Sequence, residues 1–146
     1  MKIGVKLPAS TADAGEFIAD VSALEAAGAD IIWVDGGSMD LDPWLLAAGI
    51  AAVTHRIRLG VIDATAPPSR VTTTLDRLTR GRFVAEDADR WPQIPMPADR
   101  AAWQEALSTH EAAGTAGVIV PWDPRLIDLL RNSEPDDRSD LLISTG

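Results

Sequence analysis

Short apolar runs along this chain take turns with stretches in which apolar residues return every three or four positions. Lys2 to Leu7 (KIGVKL) alternates in character and stops at Pro8, which predicts a short first strand ending in a loop. From Ala12 to Ala27, Phe17, Val21, Leu24 and Ala27 recur at helical spacing behind the candidate caps Ser10 and Thr11, and Gly28 marks the stop. Ala29 to Val34 (ADIIWV) is an apolar run of the kind found in strands covered on both faces, and Asp35-Gly36-Gly37 ends it. Asp42-Pro43 then supplies an N-cap and a first-turn proline for a helix to about Thr54.

The same rhythm continues. Ile57 to Ile62 reads as a third strand, Ser69 to Arg80 as a third helix, and Arg82 to Ala85 as a fourth strand after Gly81. Glu86 to Pro97 holds three prolines and reads as a loop. Ala98 to Ala113 is a helix with Trp103 and Leu107 on one face, Gly117 to Val120 a fifth strand, and Asp123-Pro124 opens a helix to Leu130 or Arg131. Asp140 to Ser144 is a candidate sixth strand or a frayed tail. Strands alternating with helices predict an α/β protein with a parallel sheet of five or six strands and right-handed crossovers, in one domain spanning 1–146. An eight-fold barrel takes at least about 200 residues, so the sheet is a partial, shortened TIM-barrel-like repeat or a doubly wound one. No glycine-rich fingerprint follows the first strand, which argues against a dinucleotide fold. The unclosed strand edges of such a repeat predict a homodimer in which a second copy covers them.

Composition narrows the class. The 146 residues are 46% apolar and 24% charged, as in a globular domain, and none is cysteine, so the default compartment is the reducing cytoplasm. No segment reaches the roughly 18 apolar residues of a membrane span. The net charge of -9 argues against a nucleic-acid partner. The charge is uneven: eight acidic residues and no Lys or Arg lie between Lys6 and Arg56, whereas His55 to Arg82 holds six arginines against Asp63 and Asp76. That basic segment reads either as an anion site or as arginines paired with neighbouring acidic helices or solvated.

Candidate chemistry gathers at the strand ends, where barrel and α/β enzymes keep their sites. Asp35, Asp63, Glu86 and Asp123 stand there, one each after strands two to five. Carboxylates in this position hold a ligand or a hard cation, or they cap the helix that follows, which is the reading for Asp123. No metal-ligand spacing and no Gly-x-Ser-x-Gly elbow is present, so neither a metal site nor a hydrolase triad is supported. Arg70 opens the third helix, where it would meet an anion, whereas Arg82 belongs to the opposite, stability face. His55 ends the second helix as a dipole cap, and Trp44 and Trp122 lie close enough to strand-end loops to wall a flat ring.

Several of these motifs stand together in one order. Gly4-Val5-Lys6-Leu7-Pro8, then Glu25-Ala26-Ala27-Gly28-Ala29-Asp30 before Trp33-Val34-Asp35, then Asp42-Pro43, Ala51 through Gly60 and Leu75 through Arg82 follow one another. In this the chain resembles the bacterial luciferase-like family of flavin- and deazaflavin-dependent oxidoreductases, over residues 1 to about 84. The resemblance implies a TIM-like barrel holding FMN or the deazaflavin coenzyme F420 at its C-terminal mouth, acting on a small organic substrate by oxygenation or hydride transfer. By the same likeness Asp35 and the slot at Gly36 lie beside the isoalloxazine-type ring. Ile62 and Asp63 match a strand-three end whose irregular peptide supports that ring. Two departures accompany it. Gly36 stands where many deazaflavin members carry histidine, and Glu86-Asp87-Ala88-Asp89 replaces a Gly-x-Gly turn. The implied alternative is a non-catalytic ligand-binding or scaffold relative that has lost the cofactor phosphate site.

Overall fold

Three aspartates start the three longest helices. Asp13 Oδ1 accepts from the Glu16 N–H, Asp42 Oδ1 from Trp44 and Leu45, and Asp99 Oδ1 from Ala102. Each satisfies backbone donors that a helix leaves unpaired in its first turn. A computed structural model describes residues 1–38, 40–84 and 91–131 of the chain. In order these form β1 (Lys2–Pro8), α1 (Ala14–Ala27), β2 (Ile31–Asp35), a 3-10 turn (Gly36–Ser38), α2 (Pro43–Val53), β3 (Arg58–Ile62), α3 (Ser69–Leu78), α4 (Arg100–Ala112), β4 (Gly117–Pro121) and α5 (Leu126–Arg131). The first helix begins later than Ser10 and Thr11 suggest. Thr11 Oγ1 instead bonds both the N–H and the C=O of Asp13 and thereby sets the cap.

Among the described residues the sheet has four parallel strands in the order β3-β2-β1-β4. Of the expected fourth strand, Arg82–Ala85, the described residues 82–84 make a single parallel bridge, Leu59 to Phe83, and Ala85 lies outside the described residues; a matching bridge joins Gln93 to Ile119 at the other edge. The Arg82 carbonyl accepts from the Leu59 N–H at 3.1 Å and the Val84 N–H donates to Leu59 O at 2.8 Å, which makes the bridge at Leu59. The candidate sixth strand at 140–144 and the loop carboxylate Glu86 lie outside the described residues.

This strand order alone also suits a doubly wound sheet, and the faces decide between the two. Ile3, Val5 and Leu7 of β1, Ile32 and Val34 of β2, Leu59 and Val61 of β3, and Val118 and Val120 of β4 share one cluster with the buried residues of all five helices. The opposite face holds a separate cluster of Ile31, Trp33, Ile62, Val84 and Ile119 with Trp91 packed against it, and no helix residue. Helices on one face only are the winding of a barrel. The chain reaches this winding by passing from Phe83 at one edge to Gln93 at the other, then resuming the same right-handed sense through α4 into β4 beside β1. The protein is therefore a mixed α/β fold, consistent with a partial TIM-barrel-like one.

Glycine and tryptophan fill the helix-free face together. A Cβ on Gly60 would lie 2.5 Å from Trp33 Cζ3, and one on Gly117 would lie 2.5 Å from Trp91 Cδ2. Trp33 sits opposite Gly60 in the register, so each large ring lies over a neighbour that lacks a side chain.

Polar groups lock the face at the N-terminal ends of the strands. Arg82 uses all five guanidinium N–H donors. Nε donates to Thr79 O at 2.9 Å, Nη1 to Thr54 Oγ1 and Ile57 O at 2.8 Å each, and Nη2 to Ala51 O at 3.3 Å and Thr54 O at 3.1 Å. Glu25 Oε2 accepts from the backbone N–H groups of His55, Arg56 and Ile57 at 2.8, 2.8 and 3.0 Å. Asp30 Oδ2 takes the Ile3 N–H at 2.7 Å, and the Asp30 N–H returns a bond to Ile3 O. Gly28, at φ 96°, makes the left-handed turn that brings Glu25 and Asp30 to their partners.

Arg82→Met is expected to cost about 2–4 kcal/mol by urea unfolding, because it strands several half-buried acceptors. Lys in its place recovers little, since one ammonium cannot span five acceptors. Burial pushes Glu25 upward, but the three backbone bonds and the nearby His55 outweigh it and hold the carboxyl below its ordinary value of 4.5. Its stabilisation is complete above that value and fades as pH falls through the lower, folded-state one. Glu25→Gln should flatten that acid limb in chemical unfolding between pH 3 and 6, a window flanking the ordinary carboxylate range. An unchanged slope would contradict the assignment.

Candidate functional site at the strand ends

The C-terminal ends of β1, β2 and β3 bring Pro8, Asp35 and Ile62 into one row. Asp35 is half-buried, and its Oδ1 accepts from the Gly37 N–H at 2.9 Å, which bends the chain into the 3-10 turn. Ile62 is buried and joins the cluster around Trp33. The next residue, exposed Asp63, adopts φ 56°, the left-handed region that costs a non-glycine residue on the order of 1 kcal/mol. Gly36 is pressed against that turn. A Cβ there would lie 2.6 Å from Ala64 Cβ, 3.0 Å from Ala64 Cα and 3.1 Å from Asp63 O. No histidine fits the Gly36 slot while this turn stands where it does. Asp35, Gly36, Ile62 and Asp63 thus form one interlocked rim.

Arg70 does not join them. It is exposed at the start of α3 and lines a 560 Å³ cavity between α2 and α3, together with Asp42 and Trp44. Trp44 turns outward as well. Its Nε1 donates to Thr65 O at 3.3 Å, and its ring lies 6.3 Å from that of Phe83 at 47°. Trp122 does sit at the rim, where it walls a 200 Å³ concavity with Pro8, Ser10, Phe17 and Asp20. Asp123 acts as a local cap: Oδ1 accepts from the Arg125 N–H at 2.9 Å, and both oxygens take the Arg125 guanidinium at 3.1 Å. That guanidinium and the backbone N–H hold the Asp123 carboxyl below its usual range. His55 is exposed just beyond α2, on the opposite end of the sheet from Asp35. No three His, Asp or Glu side chains among the described residues converge as a metal site would need.

One residue on the helix-free face escaped sequence reasoning. Lys6 shares a row with Trp33 and Gly60, and its Nζ donates to Gln93 Oε1 at 2.9 Å. The signal was present in the alternation of KIGVKL, which puts Lys6 on the same side as Gly4. Beside Lys6, the indole N–H of fully buried Trp33 has no acceptor among the described residues. The Ser10 hydroxyl donates to Asp40 Oδ2 at 2.6 Å and so ties the β1–α1 loop to the loop before α2.

The sequence profile of luciferase-like monooxygenases matches residues 1–111 of the 146. The chain belongs to the luciferase-like monooxygenase family. The match runs past the last individual motif, near residue 84, and into α4. No curated protein matches the chain. Many residues carrying the family motifs now have structural duties. Glu25, Gly28, Asp30 and Arg82 all work at the end of the sheet away from the rim. At the rim, the described residues suit the ring of a flavin-type cofactor better than its phosphate. The Asp35–Gly37 turn and the exposed Asp63 peptide offer polar groups, whereas Lys6 and Arg125 are already engaged with Gln93 and Asp123.

The left-handed turn generates its own test. Asp63→Gly should leave stability within about 0.5 kcal/mol, whereas Asp63→Val should lose about 1–2 kcal/mol, because a β-branched residue resists positive φ. Equal effects in thermal unfolding would show that φ at this position is not what constrains the turn.

Proposed function

We propose that this chain is a luciferase-like oxidoreductase domain that binds the ring of FMN or the deazaflavin coenzyme against Asp35, Gly36, Ile62 and Asp63. The observation that carries the reading is the strained, exposed Asp63 turn wedged onto Gly36 at the strand ends. Backbone strain of this kind persists where surrounding structure enforces it and clusters at ligand sites. Such a cofactor, when bound, supplies hydride transfer or oxygenation of a small organic substrate. The residues of the chain hold the ring edge, with the Asp35 carboxylate fixed by the Gly37 N–H and the Gly36 slot kept flat by Ala64.

A second reading is a non-catalytic ligand-binding or scaffold relative. It is favoured by the engagement of Lys6 with Gln93 and of Arg125 with Asp123, which occupies these two cations among the described residues. Fluorescence titration with FMN and with the deazaflavin separates the two. The oxidoreductase reading expects a Kd below about 100 micromolar, weakened about tenfold by Asp35→Ala, a loss of about 1.4 kcal/mol. Arg70→Ala should leave this binding unchanged if Arg70 serves only the outer cavity, whereas a comparable loss would bring it into the site. Failure of both cofactors to bind at that concentration would assign the chain to the non-catalytic class.

A further inference from the structure

At the end of the sheet away from the rim, a 360 Å³ cavity opens where α2 and α3 finish. Its titratable lining residues are His55, Arg80 and Arg82, with no carboxylate among them, although the chain carries a net charge of -9. The ends of two helices are a poor place for an anion, because their last carbonyls carry partial negative charge. Arg82 reverses this. Its donors cover Ala51 O, Thr54 O, Ile57 O, Thr79 O and the Thr54 hydroxyl, all of them neutral, so the helix ends acquire a full positive charge. Arg80 adds a second charge. It is exposed, and its guanidinium has no partner among the described residues. It also stands at φ 54°, in the left-handed region that glycine adopts freely and arginine resists, and Gly81 follows it there at φ 84°. The turn thus carries an unpaired guanidinium at a position whose backbone suits a second glycine.

We propose that this cavity binds a small phosphate monoester, with the Arg80 guanidinium on the phosphate oxygens, the His55 imidazole as a further donor and the Arg82 charge behind them. A guanidinium presents paired N–H groups that match phosphate geometry. Thr54 and Thr79, the other polar members of the lining, are buried and spend their hydroxyls on Ile50 O and Asp76 O, so recognition of the anion falls to the basic groups. The remaining lining is Ala51, Ala52 and Leu78, an apolar surface that suits the organic body of an ester. Glu25 lies near enough to His55 to feel its charge, but it is outside the lining and one of its oxygens is taken by three backbone N–H groups. Arg70 offers an anion less, since its own groove includes the carboxylate of Asp42. None of Asp35, Gly36, Ile62 and Asp63 lines the cavity, so this site stands or falls independently of a cofactor at the rim.

Isothermal titration calorimetry on the full chain at about pH 7, where a phosphate monoester is close to a dianion, tests the proposal with phenyl phosphate and inorganic phosphate as probes. Phenyl phosphate should bind once per chain with a Kd below about 1 mM, and inorganic phosphate several-fold more weakly. Arg80→Gly should weaken phenyl phosphate at least about tenfold. The same variant should unfold in urea no earlier than the wild type, because glycine accepts φ 54°, so a loss of binding cannot be a loss of fold. Arg80→Lys should fall between the two, and Arg70→Ala and Asp35→Ala should leave binding unchanged. Absence of saturable binding by the wild type up to about 10 mM overturns the proposal, as does binding that survives Arg80→Gly or falls equally in Arg70→Ala. Equal affinity for the two probes overturns the assignment to an ester.

Discussion

The architecture rests on one guanidinium. Arg82 meets three carbonyls and a hydroxyl around the C-terminus of α2 and the turn into β3, and a further carbonyl just after α3. The last carbonyls of a helix have no partner within it, and at this end of the sheet two helices and a strand expose such groups at one point. A planar, permanently charged fork with five donors satisfies them at once and fixes α2, α3 and β3 relative to each other. Glu25 performs the reciprocal task, with one carboxylate oxygen collecting three consecutive backbone N–H groups from the turn that α2 leaves behind. These two side chains hold opposite sides of the same turn, residues 54–57.

With that end locked, the other end is free to vary. Residues that mark the lineage most clearly, Glu25, Gly28, Asp30 and Arg82, satisfy backbone groups far from the strand-end rim. Those residues therefore serve the fold. Residues nearer the strand-end rim behave differently. Gly36 has no room for a side chain, Lys6 reaches Gln93, and Arg125 is held by Asp123. A domain can therefore keep its family frame while the rim above it is remodelled, because the two ends draw on separate sets of bonds.

The helix-free face shows how a parallel sheet with helices on one side fills its other side. Complete barrels pack this space with layers of side chains from every strand. Here four strands contribute among the described residues, and Trp33 and Trp91 lie over Gly60 and Gly117, with Val84 beside them. Two large aromatic rings over two absent side chains do the work of several aliphatic residues. This is also why β3 and β4, apolar in composition, each contain a glycine in their described span.

Periodicity, caps and turn residues were enough to locate nine of the ten described regular elements nearly to their ends, because Asp-Pro starts, left-handed glycines and apolar spacing are local constraints. They also placed Asp35, Gly36, Ile62 and Asp63 at strand ends, since a parallel βα repeat puts every such end on one rim. Three things were decided only in three dimensions. Residues 82–84, the described part of the expected fourth strand, make a single bridge to Leu59, while the Arg82 side chain serves the helix ends and Phe83 packs on Trp44. Arg70 sits at a helix start, yet it lines the groove between α2 and α3. The choice between barrel-like and doubly wound sheets turned on which face the helices cover. That depends on where the chain re-enters the sheet after Phe83, a long-range placement that no local pattern encodes.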